Sequence, residues 1–187
     1  ATLPLVINKL SYFPSVSFRP SPKGERRNLS QQTCFEKDPS TSLGMTVVLL
    51  NLFRDQLDRY GEVDTIARKW KSALAKLTKD NTVILNADDP QIAFLGKDLT
   101  AKTLYFGIDD KSKFLSKKEH ATDSVYCPAC GTKLVYEGVY YSHLGVWSCA
   151  KCGFSRPLPN LTHWEQPLAG LYNLYNTLAA VLTCQSL

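Results

Sequence analysis

Four cysteines set as two tight pairs constrain this chain more than any other feature. They read Cys127-Pro-Ala-Cys130-Gly131 and Cys149-Ala-Lys-Cys152-Gly153, with 18 residues between Cys130 and Cys149. Two such knuckles can bring four thiolates into a tetrahedron about 2.3 Å from one metal ion. Gly131 and Gly153 follow the second cysteine of each pair, where a residue without Cβ suits a positive-φ turn. Residues 133–136 and 139–141 flank Glu137-Gly138, which predicts a β-hairpin turning at that dipeptide and a zinc ribbon over 124–157. The competing readings are two disulfides or a redox CxxC. The opening ATLPLVINKLSYFPSV lacks the order of a secretory signal, so the tight pairs favour metal in a reducing compartment. Four protein ligands leave no open coordination position, so the zinc is expected to be structural. Beside a complete cysteine set, His120 and His143 read as ordinary surface histidines.

The text around the ribbon is of α/β type. Residues 46–51, 82–86 and 103–107 are short continuous apolar runs, as in strands buried on both faces. Between them, Ile66, Ala67, Trp70, Ala73, Leu74 and Leu77 recur at spacings of three and four, predicting a helix over 64–78. Asp89-Pro90 opens a short helix over 91–95. Alternating strands and helices imply a parallel sheet, whose ligands lie at the carboxyl ends of the strands. Asn51 and Asn86-Ala87-Asp88-Asp89 occupy such ends. A last helix over 169–184 carries the stripe Leu171, Leu174, Tyr175, Leu178, Ala179 and Leu182.

Residues 1–45 differ. They hold five of the ten prolines and seven serines with poor periodicity, and read as an irregular or disordered leader with no assigned function. The domain proper is expected over 46–187, with 124–157 as an insert. No run of about 18 apolar residues occurs, so no transmembrane segment is expected. A net charge of +5 does not argue for nucleic acid, and the ribbon carries only Lys133, Lys151 and Arg156 against Glu137.

Three segments then act together: NLFRDQLDRYGE over 51–62, NADDP over 86–90, and GLYNLYNTLAA over 170–180. In this order they resemble the central-domain motifs of the Mur ligase family, over about residues 45–187. With an inserted four-cysteine ribbon they are similar to its lipid II-amidating ligase subunits. The resemblance implies an incomplete Mur ligase central domain in a cytoplasmic, ATP- and Mg²⁺-dependent amide-forming ligase of peptidoglycan biosynthesis. Such an enzyme converts the D-glutamate α-carboxylate of lipid II to D-isoglutamine, with ammonia from a GatD-like glutamine amidotransferase. By position, Asn173 and Asn176 look like the family's adenine-pocket asparagines, and an amide suits a base edge, offering both donor and acceptor. Asn86 and Asp88 look cofactor-proximal, and Asp55 and Asp58 are further candidates near Mg²⁺ or phosphate.

There are departures from the family pattern. Gln56 and Tyr172 stand where many members carry His, and no GxxxxGK[ST] loop occurs in the sequence. The catalytic residues are therefore expected outside this chain, which alone is expected to be inactive. The alternative reading is a zinc-ribbon binding module, for protein or nucleic acid, on an α/β scaffold.

Overall fold

The computed structural model describes residues 5–8, 44–53, 63–115, 124–165 and 168–187. A four-stranded sheet runs in the order β1 (Leu5–Asn8), β2 (Met45–Leu49), β3 (Thr82–Asn86), β4 (Lys102–Phe106). The last three are parallel, with Val47 beside Val83 and Val83 beside Thr103. β1 lies inside the segment read as an irregular leader, yet pairs antiparallel with β2, Val6 opposite Val47. That pairing satisfies backbone groups β2 would otherwise leave open at the sheet edge. Residues 9–43, 54–62 and 116–123 lie outside the described residues, and with them Asp55, Asp58 and His120.

Both faces of the parallel strands are covered, which is why they read as unbroken apolar runs. Val47, Leu49, Val83 and Leu85 point to one side, packing with α1 (Val63–Leu74) and α2 (Pro90–Leu95) through Ala67, Leu74, Ile92 and Leu95. Val48, Ile84 and Phe106 point to the other, under Leu174, Tyr175, Leu178 and Leu182 of α3 (Leu171–Ser186). Val83, Ile84 and Leu85 are fully buried, and each such side chain contributes about 1.5–3 kcal/mol. α1 stops short of the expected Thr78. Beyond Leu74 the amides of Lys76 and Leu77 bond three residues back, to Ala73 and Leu74, so the end tightens into 3₁₀ turns. Asp89 caps α2 by accepting from the Gln91 and Ile92 amides, and Pro90 fills the first turn, where no N–H is needed. Asn160 and Leu161 bond along the open edge of β4 through Tyr105 and Gly107.

The hairpin of the cysteine unit differs from the one expected. β5 (Val135–Tyr141) runs straight through Glu137-Gly138, and its partner is β6 (Leu144–Ser148). The turn is Ser142-His143, with Ser142 at φ 50°. Gly138 is there for close approach: a Cβ on it would meet the Phe114 ring at 2.3 Å, and one on Gly145 would meet the Gly138 carbonyl at 2.2 Å. The register shifts beside Gly138, so this glycine marks a bulge and not a reversal.

Candidate functional site

The two knuckles repeat one backbone pattern. The Cys127 amide donates to the Thr132 carbonyl at 2.7 Å and the Gly131 amide to the Cys127 carbonyl at 2.8 Å. In the second knuckle Cys149 donates to Phe154 at 2.8 Å and Gly153 to Cys149 at 3.0 Å. Gly131 and Gly153 have φ of 71° and 74°, and a Cβ on either would meet nothing within 4 Å. Conformation, not crowding, therefore requires glycine there.

The four Sγ atoms lie within 4.8 Å of one another, Cys127 to Cys152 at 3.6 Å and Cys130 to Cys149 at 3.5 Å. A tetrahedron with metal–sulfur bonds of about 2.3 Å has edges of about 3.8 Å. All four are free thiols, and the donor set fits one four-coordinate thiophilic ion. Burial pushes the Cys127 thiol up to about 12, while hydrogen bonding from Thr132 brings Cys130 down to about 6. Among the described residues this is the group of His, Cys, Asp and Glu placed to share a metal. Neither His143 nor His163 belongs to it.

The cysteine unit is seated on the carboxyl end of β3. Trp147, buried between Ala93 and the knuckles, donates from Nε1 to the Ala87 carbonyl at 3.2 Å. The Gly145 amide donates to the Asp88 carbonyl at 3.0 Å. Phe154 stacks against Trp147 and, edge-on, against Phe94 of α2. Arg156, just beyond the second knuckle, reaches the Asp88 carboxylate with Nε at 2.6 Å and the Ile108 carbonyl with Nη2 at 2.8 Å.

Asp88 is wholly buried, and its carboxylate is engaged internally. Besides Arg156, its Oδ2 accepts from the Ile108 amide at 2.9 Å and from the Tyr175 hydroxyl at 2.7 Å. Burial pushes the carboxyl above its ordinary range, against the pull of Arg156, the Ile108 amide and the Tyr175 hydroxyl. The Tyr175 phenol is raised by its own burial and then by the Asp88 charge. Asn86, also buried, accepts the Asp88 amide at 2.9 Å. Asp89 completes the cluster: beyond capping α2, its Oδ2 accepts the Leu52 amide at 2.8 Å. One strand-end turn thus ties together β2, β3, the exit of β4, α2, α3 and the cysteine unit.

Of the residues singled out from sequence, the structure brings Asn86 and Asp88 into this cluster but not Asn173 and Asn176. The α3 side chain that reaches Asp88 is Tyr175. Asn176 is exposed, and Asn173, half-buried, donates to the Ala169 carbonyl at 2.7 Å. His143, read as a surface residue, is fully buried, because docking of the hairpin tip covers it. Arg156 and Tyr175 gave no sequence signal for their role: their partner lies 68 and 87 residues away.

The sequence profile of the Mur ligase middle domain matches residues 44–184, all but a few of the residues beyond the leader. The chain belongs to the Mur ligase family. Among curated relatives of this Mur ligase middle domain is the lipid II isoglutaminyl synthase (glutamine-hydrolyzing) subunit MurT of Streptococcus pneumoniae. It is 34% identical over 153 residues, 72% of this chain and 34% of that protein. MurT of Staphylococcus aureus strain COL is 30% identical over 158 residues, 75% of this chain and 35% of its own length. A pseudomurein peptide ligase type C from Methanothermus fervidus superposes with a TM-score of 0.59 at 29% identity, covering 74% of this chain and 30% of that one. The chain spans about a third of the length of the curated MurT relatives. Among the described residues no helix is long and apolar enough to cross a membrane.

Proposed function

We propose that this chain is the nucleotide-facing middle domain of an ATP- and Mg²⁺-dependent ligase of peptidoglycan synthesis. Its substrate in this reading is the D-glutamate α-carboxylate of lipid II, converted to the amide with ammonia from a GatD-like glutaminase. In this reading ATP transfers its γ-phosphoryl group to the carboxylate oxygen and leaves as ADP, and ammonia then attacks the acyl carbon, displacing inorganic phosphate and losing a proton. The observation that carries the proposal is the match over 44–184 joined to MurT relatives at 34% and 30% identity.

The residues of the chain divide the work. In this reading Asn176, exposed near the start of α3, offers its amide to an adenine edge, and Asn173, whose Nδ2 donates to the Ala169 carbonyl, offers its amide oxygen. Asn86 and Asp88, both wholly buried, would act from beneath the cofactor by shaping the strand-end turn, the Asp88 carboxylate being already held by Arg156, Ile108 and Tyr175. Cys127, Cys130, Cys149 and Cys152 hold a structural zinc ion that fixes the ribbon on the Asn86–Asp89 turn and leaves no ligand position for chemistry. The phosphate-cradling loop and the remaining catalytic groups are supplied outside this sequence, in which no GxxxxGK[ST] occurs.

The test is an amidation assay on the complete ligase carrying this segment, with its glutaminase, lipid II, glutamine, ATP and Mg²⁺. Mass spectrometry of the stem peptide should show one carboxyl converted to carboxamide, dependent on ATP. Unchanged lipid II under conditions where ATP binds would refute the substrate assignment.

A further inference from the structure

His143 is the buried polar side chain that the proposed chemistry does not use. It sits in the turn between β5 and β6, six residues before Cys149, and is wholly buried. Its Nε2 approaches Asp89 Oδ2 to 3.3 Å, off the axis of a hydrogen bond, and neither ring nitrogen has a hydrogen-bond partner among the described residues. Phe53 packs edge-on against the imidazole with centroids 4.9 Å apart, and against Tyr141 of the same hairpin at 6.0 Å. A buried imidazole without a partner is costly, and among the described residues the Asp89 carboxylate lies within 3.3 Å of it.

Asp89 is also where the strand ends are joined. Its Oδ1 accepts from Gln91 and Ile92 and so starts α2, while its Oδ2 accepts from Leu52 just beyond β2. Leu52 is buried, and Leu52 and Phe53 lead out of the sheet from the carboxyl end of β2. The imidazole therefore lies against both sides of this junction, its edge on the carboxylate and its face on the Phe53 ring.

We infer that His143 is a positioning residue: from the tip of the cysteine hairpin it holds the Asp89 carboxylate, and through it the Leu52–Phe53 exit of β2, at the strand-end face. The inference rests on the ligase reading only for the purpose of that face. The contact geometry stands without it. It also gives the hairpin tip a role separate from metal binding, since His143 is no part of the thiolate cage. The tip acts as a wedge that ties the ends of β2 and β3 to one carboxylate.

Amide hydrogen exchange on the zinc-loaded chain tests this without any turnover. His143→Phe keeps an aromatic ring against Phe53 and removes both nitrogens. The Leu52 amide, held by Asp89, should then exchange about tenfold faster or more. The Ile108 amide, held by Asp88, should stay within about twofold and serves as the internal control. His143→Gln retains an N–H able to reach the carboxylate and should restore Leu52 protection to within about twofold of the parent. Metal content should be unchanged in both variants. Leu52 protection unaltered in His143→Phe, or lost equally in His143→Gln, would overturn the assignment. Should His143→Phe fail to fold, His143→Gln compared with His143→Ala carries the same comparison, and equal protection of Leu52 in the two would overturn it. Absence of lipid II amidation by the complete enzyme would count against the ligase reading and leave this exchange comparison intact.

Discussion

Removing the Arg156 guanidinium should cost more stability than any other single change at the strand-end cluster. Its side chain is 9% exposed and its partner Asp88 is 0% exposed. Arg156→Met keeps most of the aliphatic stem but deletes the 2.6 Å contact to Asp88 and the 2.8 Å contact to the Ile108 carbonyl. Breaking a buried pair by removing one partner costs about 3–5 kcal/mol. Asp88 keeps two donors, the Ile108 amide and the Tyr175 hydroxyl, and its raised pKa lets it take up a proton instead of remaining an unpaired charge. Both effects put the loss near the lower end, about 3 kcal/mol at pH 7, or roughly 6–12 °C in Tm for a domain of this size. The pH dependence has a definite sign. The folded carboxyl titrates above its unfolded value of about 3.9. Its contribution to stability is therefore whole below that value and is lost as pH rises through the folded one. Without Arg156 the folded value moves further up, so the deficit should shrink as pH falls from 7 towards 4. Urea unfolding of the zinc-loaded chain across that range measures both quantities. Asp88→Asn combined with Arg156→Met should be more stable than Arg156→Met alone, because no charge is left buried. A loss below about 1 kcal/mol, or one that does not change with pH, would refute the reasoning.

Tyr175→Phe should cost about 1.5–3 kcal/mol in the same assay, since it removes a donor from a buried carboxylate. Tyr172→Phe, on a residue 66% exposed, should stay within about 0.5 kcal/mol. Calorimetry with ATP and Mg²⁺ on this chain should give affinity no better than roughly millimolar, because phosphate affinity comes mainly from a glycine-rich loop and its lysine. Micromolar binding would place a phosphate site within this sequence, residues 1–45 included.

The layout of the fold was legible because it is written in local pattern. Residues 83–85 are apolar without a break since both faces of β3 are buried, and Asp89-Pro90 announces α2 through a cap and a first-turn proline. The knuckles were legible for a similar reason: two ligands and a positive-φ glycine fall within five residues of each other. What sequence did not show is what depends on docking. Glu137-Gly138 looks like a turn, but the glycine answers to Phe114 and Gly145, which come against it only in the folded chain. His143 looks like a surface turn residue, and its burial follows from seating the hairpin tip over Phe53 and Asp89. Asp88 reads as a ligand-facing acid at a strand end, and only the arrival of Arg156 and Tyr175 from remote segments shows that its oxygens are engaged. The strand Leu5–Asn8 lies in a stretch without periodicity, and its pairing is set by the edge that β2 offers.

That the four cysteines form one metal-bearing cage, and that this cage seats the ribbon on the Asn86–Asp89 turn, is tested most directly by metal analysis of the purified chain combined with amide exchange. One zinc ion per chain is expected, lost in Cys127→Ser with Cys149→Ser. Stripping the ion with a chelator should release the Ile108 and Leu52 amides, which lie outside the ribbon but are held by Asp88 and Asp89. A chain without bound metal, or one whose Ile108 and Leu52 protection is the same with and without zinc, would contradict it.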